Sequence, residues 1–403
     1  MKRIYLEEKD PAVKTLRLDL FLLYFEKKGE VENMLKRFEV SGFKQFSHLV
    51  LDFSNIRDYA FNQSCIKNQL VKDGIIYGRN ASGKTNLGLA LFDIITHLTD
   101  KTAGEEFYSY YLKADDCTAM ATFNYEFQFE GPHHIQYQYQ KASHHTLYGE
   151  ELRIDGVLVL KWTYQTPLFI ATDFSDTYKF GKIEWKVAPS DLSVVKYIFN
   201  NMIFLPHSAL AEFRDFVNGM LWFQRNDFNN RYIGLSNSRE DIFDYVVKNH
   251  LVDDFKEFLH VFSGMDGPLK AIEGPDGQSL LYLDYEKPLP IGAVASSGTR
   301  ALSLFYYWLK HKNQITFLFI DEFDAFYHYA LSEQILRYLI ADFNGQALVT
   351  THNINLLTNK IIRPDCSFIV KNGEIKSLSD STNRELRQGN NLERLYVSGE
   401  FDG

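Results

Sequence analysis

The stretch Ile75–Leu87, IIYGRNASGKTNL, decides how the rest of the chain is read. A short apolar run leads into Gly78-Arg79-Asn80-Ala81-Ser82-Gly83-Lys84-Thr85, which meets every fixed position of G-x-x-x-x-G-K-[ST]. The chemistry needs these residue types. Small residues let successive backbone N–H groups curl around a phosphate chain, and a helix starting near Gly83 turns its positive end toward the same anion. Lys84 supplies a cation for the β- and γ-phosphates, and the Thr85 hydroxyl a ligand for Mg²⁺. The flanks agree. Asp73–Tyr77 reads as a buried strand, and Leu87–Leu98 carries apolar residues at helical spacing. ATP with Mg²⁺ is therefore expected at Gly78–Asn86.

A chain of 403 residues allows two or three domain-sized units, or one domain with a large insertion. Hydrophobic residues at 45% and aromatics at 15% are ample for a sizeable core. No apolar run is long enough to span a membrane, and the N-terminus MKRIYLEEKD lacks the apolar run of a signal peptide. Phe21–Phe25, FLLYF, is short and reads as a packing or docking segment. Cys65, Cys117 and Cys366 are scattered with no C-x-x-C pair, which argues against a disulfide framework or structural zinc. A reducing cytoplasm is the expected compartment, with no membrane contact. The net charge of −9 does not mark a general nucleic-acid binder. Lys179–Lys186 is locally basic but reads as a solvated strand.

Leu35–Ser54 alternates as two short strands around a glycine turn, and Ala119–Trp162 reads as an antiparallel meander. From Leu192 to about Phe262 the pattern turns helical, including ALAEFRDFVNGMLWF as one segment. Lys270–Glu286 looks like a hairpin. Helix (Ser297–Lys310), strand (Ile315–Ile320), helix (Leu331–Phe343) and strand (Gln346–Thr350) then alternate, which predicts a parallel sheet.

The second half supplies the missing chemistry. ITFLFIDEFD, Ile315–Asp324, is an apolar strand ending in adjacent carboxylates. Asp321 at the strand end is placed to hold Mg²⁺, and Glu322 to act as general base on the attacking water. VASSGTR, Val294–Arg300, puts small residues at a helix start, a second phosphate cradle or simply a good N-cap. LVTTHN, Leu348–Asn353, ends a strand in His352, whose imidazole could touch a γ-phosphate.

The order P-loop, SSGT, DE, TTH resembles the ABC-type ATPase head. That resemblance implies that SSGT is a variant signature motif, with Ser297 and Gly298 capping the ATP of a second subunit. His352 becomes the switch histidine, and Asp324 falls in the segment that meets the opposite subunit. Gln128 is the candidate for the Mg²⁺-sensing glutamine of such heads. Hydrolysis then requires a dimer at least. The 213 positions separating Lys84 from Ser297 exceed what a transporter's nucleotide-binding domain leaves, and Thr299-Arg300 replaces the transporters' Gly-Gln. The opening LKRFEVSGFKQFSHLVLDF resembles RecF, SMC and overcoming-lysogenization-defect ATPases. The loop, Glu150-Glu151-Leu152, SSGT, DEFD and the tail LYVSGEFDG resemble the compact AAA-family ATPases of bacterial abortive-infection and anti-phage operons, such as the ATPase of the PARIS system. The likeness runs over about Met34–Gly403.

The fold expected is thus α/β: an ABC-ATPase head, with a P-loop parallel sheet plus an antiparallel β subdomain and an inserted β-meander and helical region. Its parts would be an N-terminal extension (1–33), a P-loop lobe (34–100), an inserted sensor or docking region (101–265) and a lobe carrying signature, Asp321-Glu322 and His352 (266–403). No motif of destructive chemistry accompanies them. His133-His134 and His144-His145 read as polar loop residues rather than a metal site. The function expected is an ATPase controlling a separate toxic effector, a nuclease, in anti-phage defence, with a phage-derived trigger. The alternatives are a RecF-like ATPase that closes on DNA, a transporter subunit, and a binding-only scaffold. The acidic balance counts against the first of these alternatives.

Overall fold

The structure, a computed structural model, describes residues 33–115, 120–130, 133–165, 170–171, 189–225, 230–235, 241–273 and 279–402. The segment before Asn33, Cys117 and the Lys179–Lys186 patch lie outside the described residues. The chain divides into two compact units. The larger comprises Val31–Asn237, Gln314–Ala325 and Phe343–Gly403, and the smaller includes Ser238–Asn313 and Phe326–Asp342.

The larger unit is built on two seven-stranded sheets. The first has the order Asn230–Gly234, Met220–Arg225, Phe317–Asp321, Gln346–Thr351, Asp73–Tyr77, Ser367–Lys371, Glu374–Ser377. Its five inner strands run parallel, and only the two edge strands are antiparallel. Phe317–Asp321, Gln346–Thr351 and Asp73–Tyr77 are buried at every residue. Continuous apolar runs of this kind belong to parallel strands covered on both faces. The helix Lys84–Leu98 packs closely on this sheet because Gly88 has no side chain. A Cβ there would fall 2.6 Å from Trp222 Nε1 and 2.8 Å from Phe319 Cε1.

The second sheet is antiparallel, in the order Ile170–Ala171, Val157–Thr163, Thr146–Ile154, His134–Ser143, Ala121–Gln128, Met34–Phe43, Phe46–Asp52. Ala121–Gln128 alternates strictly between buried and half-buried residues, as a strand with one covered face should. The meander is present as expected, yet it does not stand apart from the N-terminal hairpin. Phe38 pairs with Tyr125 and Val40 with Phe123, so one sheet crosses the anticipated boundary at residue 100. Gln346 joins the sheets: its amide bonds Leu35 N at 3.0 Å, Leu35 O at 3.1 Å and Val71 O at 2.9 Å.

One expected helix is half strand. Ala209–Asn218 is helical, but Gly219 ends it and Met220–Arg225 enters the parallel sheet beside Phe317–Asp321. Its run Leu221-Trp222-Phe223 is buried, and tertiary burial between two layers overrode local helical spacing.

The smaller unit contains helices Ile242–Lys248, Val252–Ser263, Ser297–Lys310 and Tyr329–Asp342, with strands Leu269–Glu273, Ser279–Leu283 and Leu289–Pro290. Phe255, Phe258, Phe262, Phe305, Tyr306 and Tyr338 interlock in its core. The anticipated boundary at 265/266 falls inside this unit. Among the described residues, no helix is long and apolar enough to cross a membrane.

Candidate functional site

The loop after Asp73–Tyr77 owes its shape to left-handed backbone at Ala81 (φ 61°) and Gly83 (φ 107°). Gly83 is the helix N-cap and provides no side-chain cap, so the N–H groups of the first turn remain uncapped, as an anion site needs. Both glycines permit close approach. A Cβ on Gly78 would lie 2.4 Å from Ser82 Oγ, and one on Gly83 only 1.9 Å from Gln45 Nε2. Asn80 through Asn86 line a cavity of about 720 Å³ together with Gln45, Glu322, Asp324, Ala325, His352 and Asn353. Gly78 and Arg79 are not on the lining and contribute carbonyls instead.

Lys84 is buried and holds those carbonyls. Its Nζ donates to Gly78 O at 2.9 Å, to Arg79 O at 3.2 Å and to His352 Nε2 at 3.0 Å. Burial lowers the Lys84 pKa, against the opposing pull of Asp321, Glu322 and Asp324. His352 is lowered too, by burial and then by the Lys84 charge, which favours the neutral ring that can accept from Lys84. So the strand end that carries His352 is brought to the P-loop lysine.

Thr85 Oγ1 donates to Asp321 Oδ2 at 2.7 Å, joining the first helical turn to the end of Phe317–Asp321. Gln224 Nε2 donates to the same oxygen at 3.0 Å, and Thr350 Oγ1 to Asp321 Oδ1 at 2.7 Å. Burial raises the Asp321 pKa, while the Thr85 and Thr350 hydroxyls oppose the rise. Glu322 follows in left-handed backbone (φ 50°) and lines the cavity. Asp324 lines it as well, and its carboxylate accepts from Thr351 Oγ1 at 2.8 Å.

A nucleotide triphosphate and Mg²⁺ suit these residues. Ser82 Oγ is buried with no hydrogen-bond partner, a donor available to a phosphate. Thr85 and Asp321 offer two oxygen ligands, and Mg²⁺ accepts few protein oxygens while keeping waters and phosphates. Among the described residues no cluster of three or more His, Cys, Asp or Glu could enclose a metal by itself, and that includes the histidine pairs. His144 instead stacks on Tyr108 at 4.1 Å and lies 3.6 Å from Asp93.

The smaller unit holds Ser297 and Gly298. Ser296 caps the helix Ser297–Lys310 by accepting from Thr299 N at 3.1 Å, so the capping role falls to the first serine. Ser297 is left exposed and Gly298 half-buried, unspent by their own helix.

Gln128 does not belong with this chemistry. It closes the strand Ala121–Gln128, opposite Met34 and His134, and is absent from the cavity wall. Gln224, by contrast, is bonded to Asp321, and reading its strand as helix hid it. The signal was present: an apolar run of four after Gly219, ending in a polar amide. Gln45, from the turn between Met34–Phe43 and Phe46–Asp52, was also missed; it accepts from Asn86 Nδ2 on the cavity wall.

Solved structures with partial likeness to this chain include SMC head domains and RecF. The chain is similar to the SMC head domain from Thermotoga maritima (16% identity, 85% of this chain and 98% of that chain, TM-score 0.40). A Pyrococcus furiosus Smc head bound to the C-terminal domain of ScpA gives 14% identity over 86% and 97%, with a TM-score of 0.43. RecF with ATP gives 14% over 86% and 100%, with a TM-score of 0.38. No curated protein matches the sequence. The family comparison is more extensive, since residues 75–358 match the family described as "AAA domain, putative AbiEii toxin, Type IV TA system". That span runs from the P-loop strand past His352 and covers more than half of the sequence, so the chain belongs to this family of AAA-domain ATPases.

Proposed function

We propose that the protein hydrolyses ATP with Mg²⁺ at an interface between two subunits and uses that cycle to control a separate toxic effector, a nuclease, in cytoplasmic anti-phage defence of the PARIS kind. The observation that carries the reading is the hydrogen-bonded junction of Thr85, Asp321, Gln224 and Thr350, buried directly behind the cavity that Thr85, Glu322, Lys84 and His352 line. Mg²⁺ bound through Thr85 and Asp321 would neutralise charge on the β- and γ-phosphates. Lys84 exchanges its loop carbonyls for phosphate oxygens. Glu322 accepts a proton from water as the water oxygen attacks the γ-phosphorus and the bond to the bridging oxygen breaks. His352 and the second subunit's Ser297 and Gly298 then report whether the γ-phosphate is present. The catalysis is positioning and electrostatics.

The family's link to AbiEii toxins and type IV toxin–antitoxin systems supports an output in growth control. Effector docking is assigned to Lys101–Phe262, where Ile203 and Leu205 are 94% and 60% exposed and offer apolar surface to a partner. The test is coexpression with the neighbouring gene, followed by purification and phage challenge. A stable complex is expected, with toxicity that depends on Lys84 and Glu322. Ser297→Arg should keep ATP binding and lose turnover. Tight, salt-sensitive DNA binding without a protein partner would replace this reading with the DNA-closing one.

A further inference from the structure

We infer that Thr350 is a positioning residue that couples the Mg²⁺ ligand to the catalytic base, so that Asp321 and Glu322 are set by one hydroxyl. This rests on the hydrolytic reading above and adds a residue to it. Thr350 is the penultimate residue of the strand Gln346–Thr351, two residues before His352, and is fully buried. Its hydroxyl has a single proton, donated to Asp321 Oδ1 at 2.7 Å. Thr350 Oγ1 in turn accepts the backbone N–H of Glu322 at 2.8 Å. The Thr350 carbonyl accepts from Phe323 N at 3.1 Å. Three consecutive residues of the acidic turn are therefore strapped to one threonine.

Each strap has a consequence. Fixing Oδ1 leaves Oδ2 of Asp321 turned toward Thr85 and Gln224, the oxygen available to a metal. Turning the carboxylate away from this orientation would leave the buried Thr350 hydroxyl without its acceptor. At Glu322 the backbone is left-handed, a conformation that a side-chain-bearing residue adopts only when its surroundings enforce it. The Thr350 bond to its N–H is one such enforcement. Because one oxygen serves both neighbours, a shift of either carboxylate is felt by the other. The next residue repeats the device at lower stakes: Thr351 Oγ1 bonds Asp324, and no backbone strain is involved.

Thr350→Val keeps the shape and removes the hydroxyl; Thr350→Ser keeps the hydroxyl and removes a methyl. With the full-length protein, ATP affinity in EDTA should stay within about twofold in both variants, since neither touches the phosphate loop. For Thr350→Val, kcat should fall about tenfold or more and Mn²⁺ affinity in the presence of ATP should weaken about tenfold, while the serine variant stays within about threefold of wild type on both. Melting temperatures of both variants separate this from simple destabilisation. Equal kcat and Mn²⁺ affinity in wild type and Thr350→Val, or a serine variant as impaired as the valine one, overturns the inference. A wild type that binds Mn²⁺ and ATP without turnover sinks the hydrolytic reading alone, and the Mn²⁺ affinities still judge Thr350. A wild type that binds neither overturns both.

Discussion

The helix Lys84–Leu98 carries buried polar groups at both ends, and the two ends treat them differently. At the N-terminal end Ser82 Oγ has no partner, Gly83 offers no cap, and Lys84 is held by carbonyls and a histidine that phosphate oxygens can replace. Two turns further on, Asp93 is wholly buried and fully engaged. Tyr111 and Tyr139 hydroxyls donate to it at 2.8 and 2.9 Å, Lys141 Nζ at 2.7 Å, and His144 stands 3.6 Å away. His97, one turn on, reaches Tyr137 at 2.6 Å, and Tyr137 donates to the buried Glu150. Polar groups with capacity left over mark a site that awaits a ligand. Polar groups whose capacity is spent inside the fold mark a joint, here between the P-loop helix and the antiparallel sheet.

The sharpest way to break this comparison is Asp93→Ala. It strands the buried Lys141 ammonium and should cost about 3–5 kcal/mol in chemical denaturation. Burial alone would raise the Asp93 pKa, but Lys141 and His144 overcome it and hold the carboxyl below its usual range. Its contribution is therefore present above the ordinary carboxylate pKa and is lost as pH falls below it. Lys84→Ala should do the reverse: stability within about 1 kcal/mol of wild type, because the ammonium is held by replaceable carbonyls, and turnover lower by about 10²–10³-fold. A Lys84→Ala protein that unfolds readily while Asp93→Ala does not would invert the assignment of joint and site.

What was legible in the sequence follows the same division. Gly78–Thr85, Asp321-Glu322 and Thr351-His352 are contiguous motifs whose residue types state their chemistry, and the fold gathers them around one cavity, which Asn80–Thr85, Glu322 and His352 line. The joint was invisible because Asp93, Tyr111 and the strand pair Tyr139 and Lys141 come from three separate segments that only the fold brings together. His144 read as a loop residue, since nothing local shows that it packs against a buried carboxylate. Gln224 was hidden by a period misread across Gly219, and Thr350 because only pairing of Gln346–Thr351 with Phe317–Asp321 sets it beside Asp321.

Asp73 offers a third setting, a buried aspartate at the base of the P-loop strand, 2.9 Å from Lys72. Burial pushes its pKa up to about 7, and Lys72 offsets only part of that. The folded state thus binds a proton that the unfolded chain releases near pH 4, so stability falls as pH rises from about 4 to about 7. Asp73→Asn should flatten that slope in pH-dependent denaturation; an unchanged slope would mean the carboxyl is ionised throughout. The smallest effect expected is Tyr139→Phe, which removes one of several donors to Asp93 and should cost about 1 kcal/mol.

The most direct measurement of the central claim is MgATP binding and turnover by Glu322→Gln beside the wild-type protein. The substitution keeps volume and hydrogen bonding at the cavity wall and removes only the base. The account predicts that the variant binds ATP as the wild type does while its turnover falls by about two orders of magnitude or more. Turnover at the wild-type rate in Glu322→Gln, or a wild-type protein that fails to bind ATP, would contradict it.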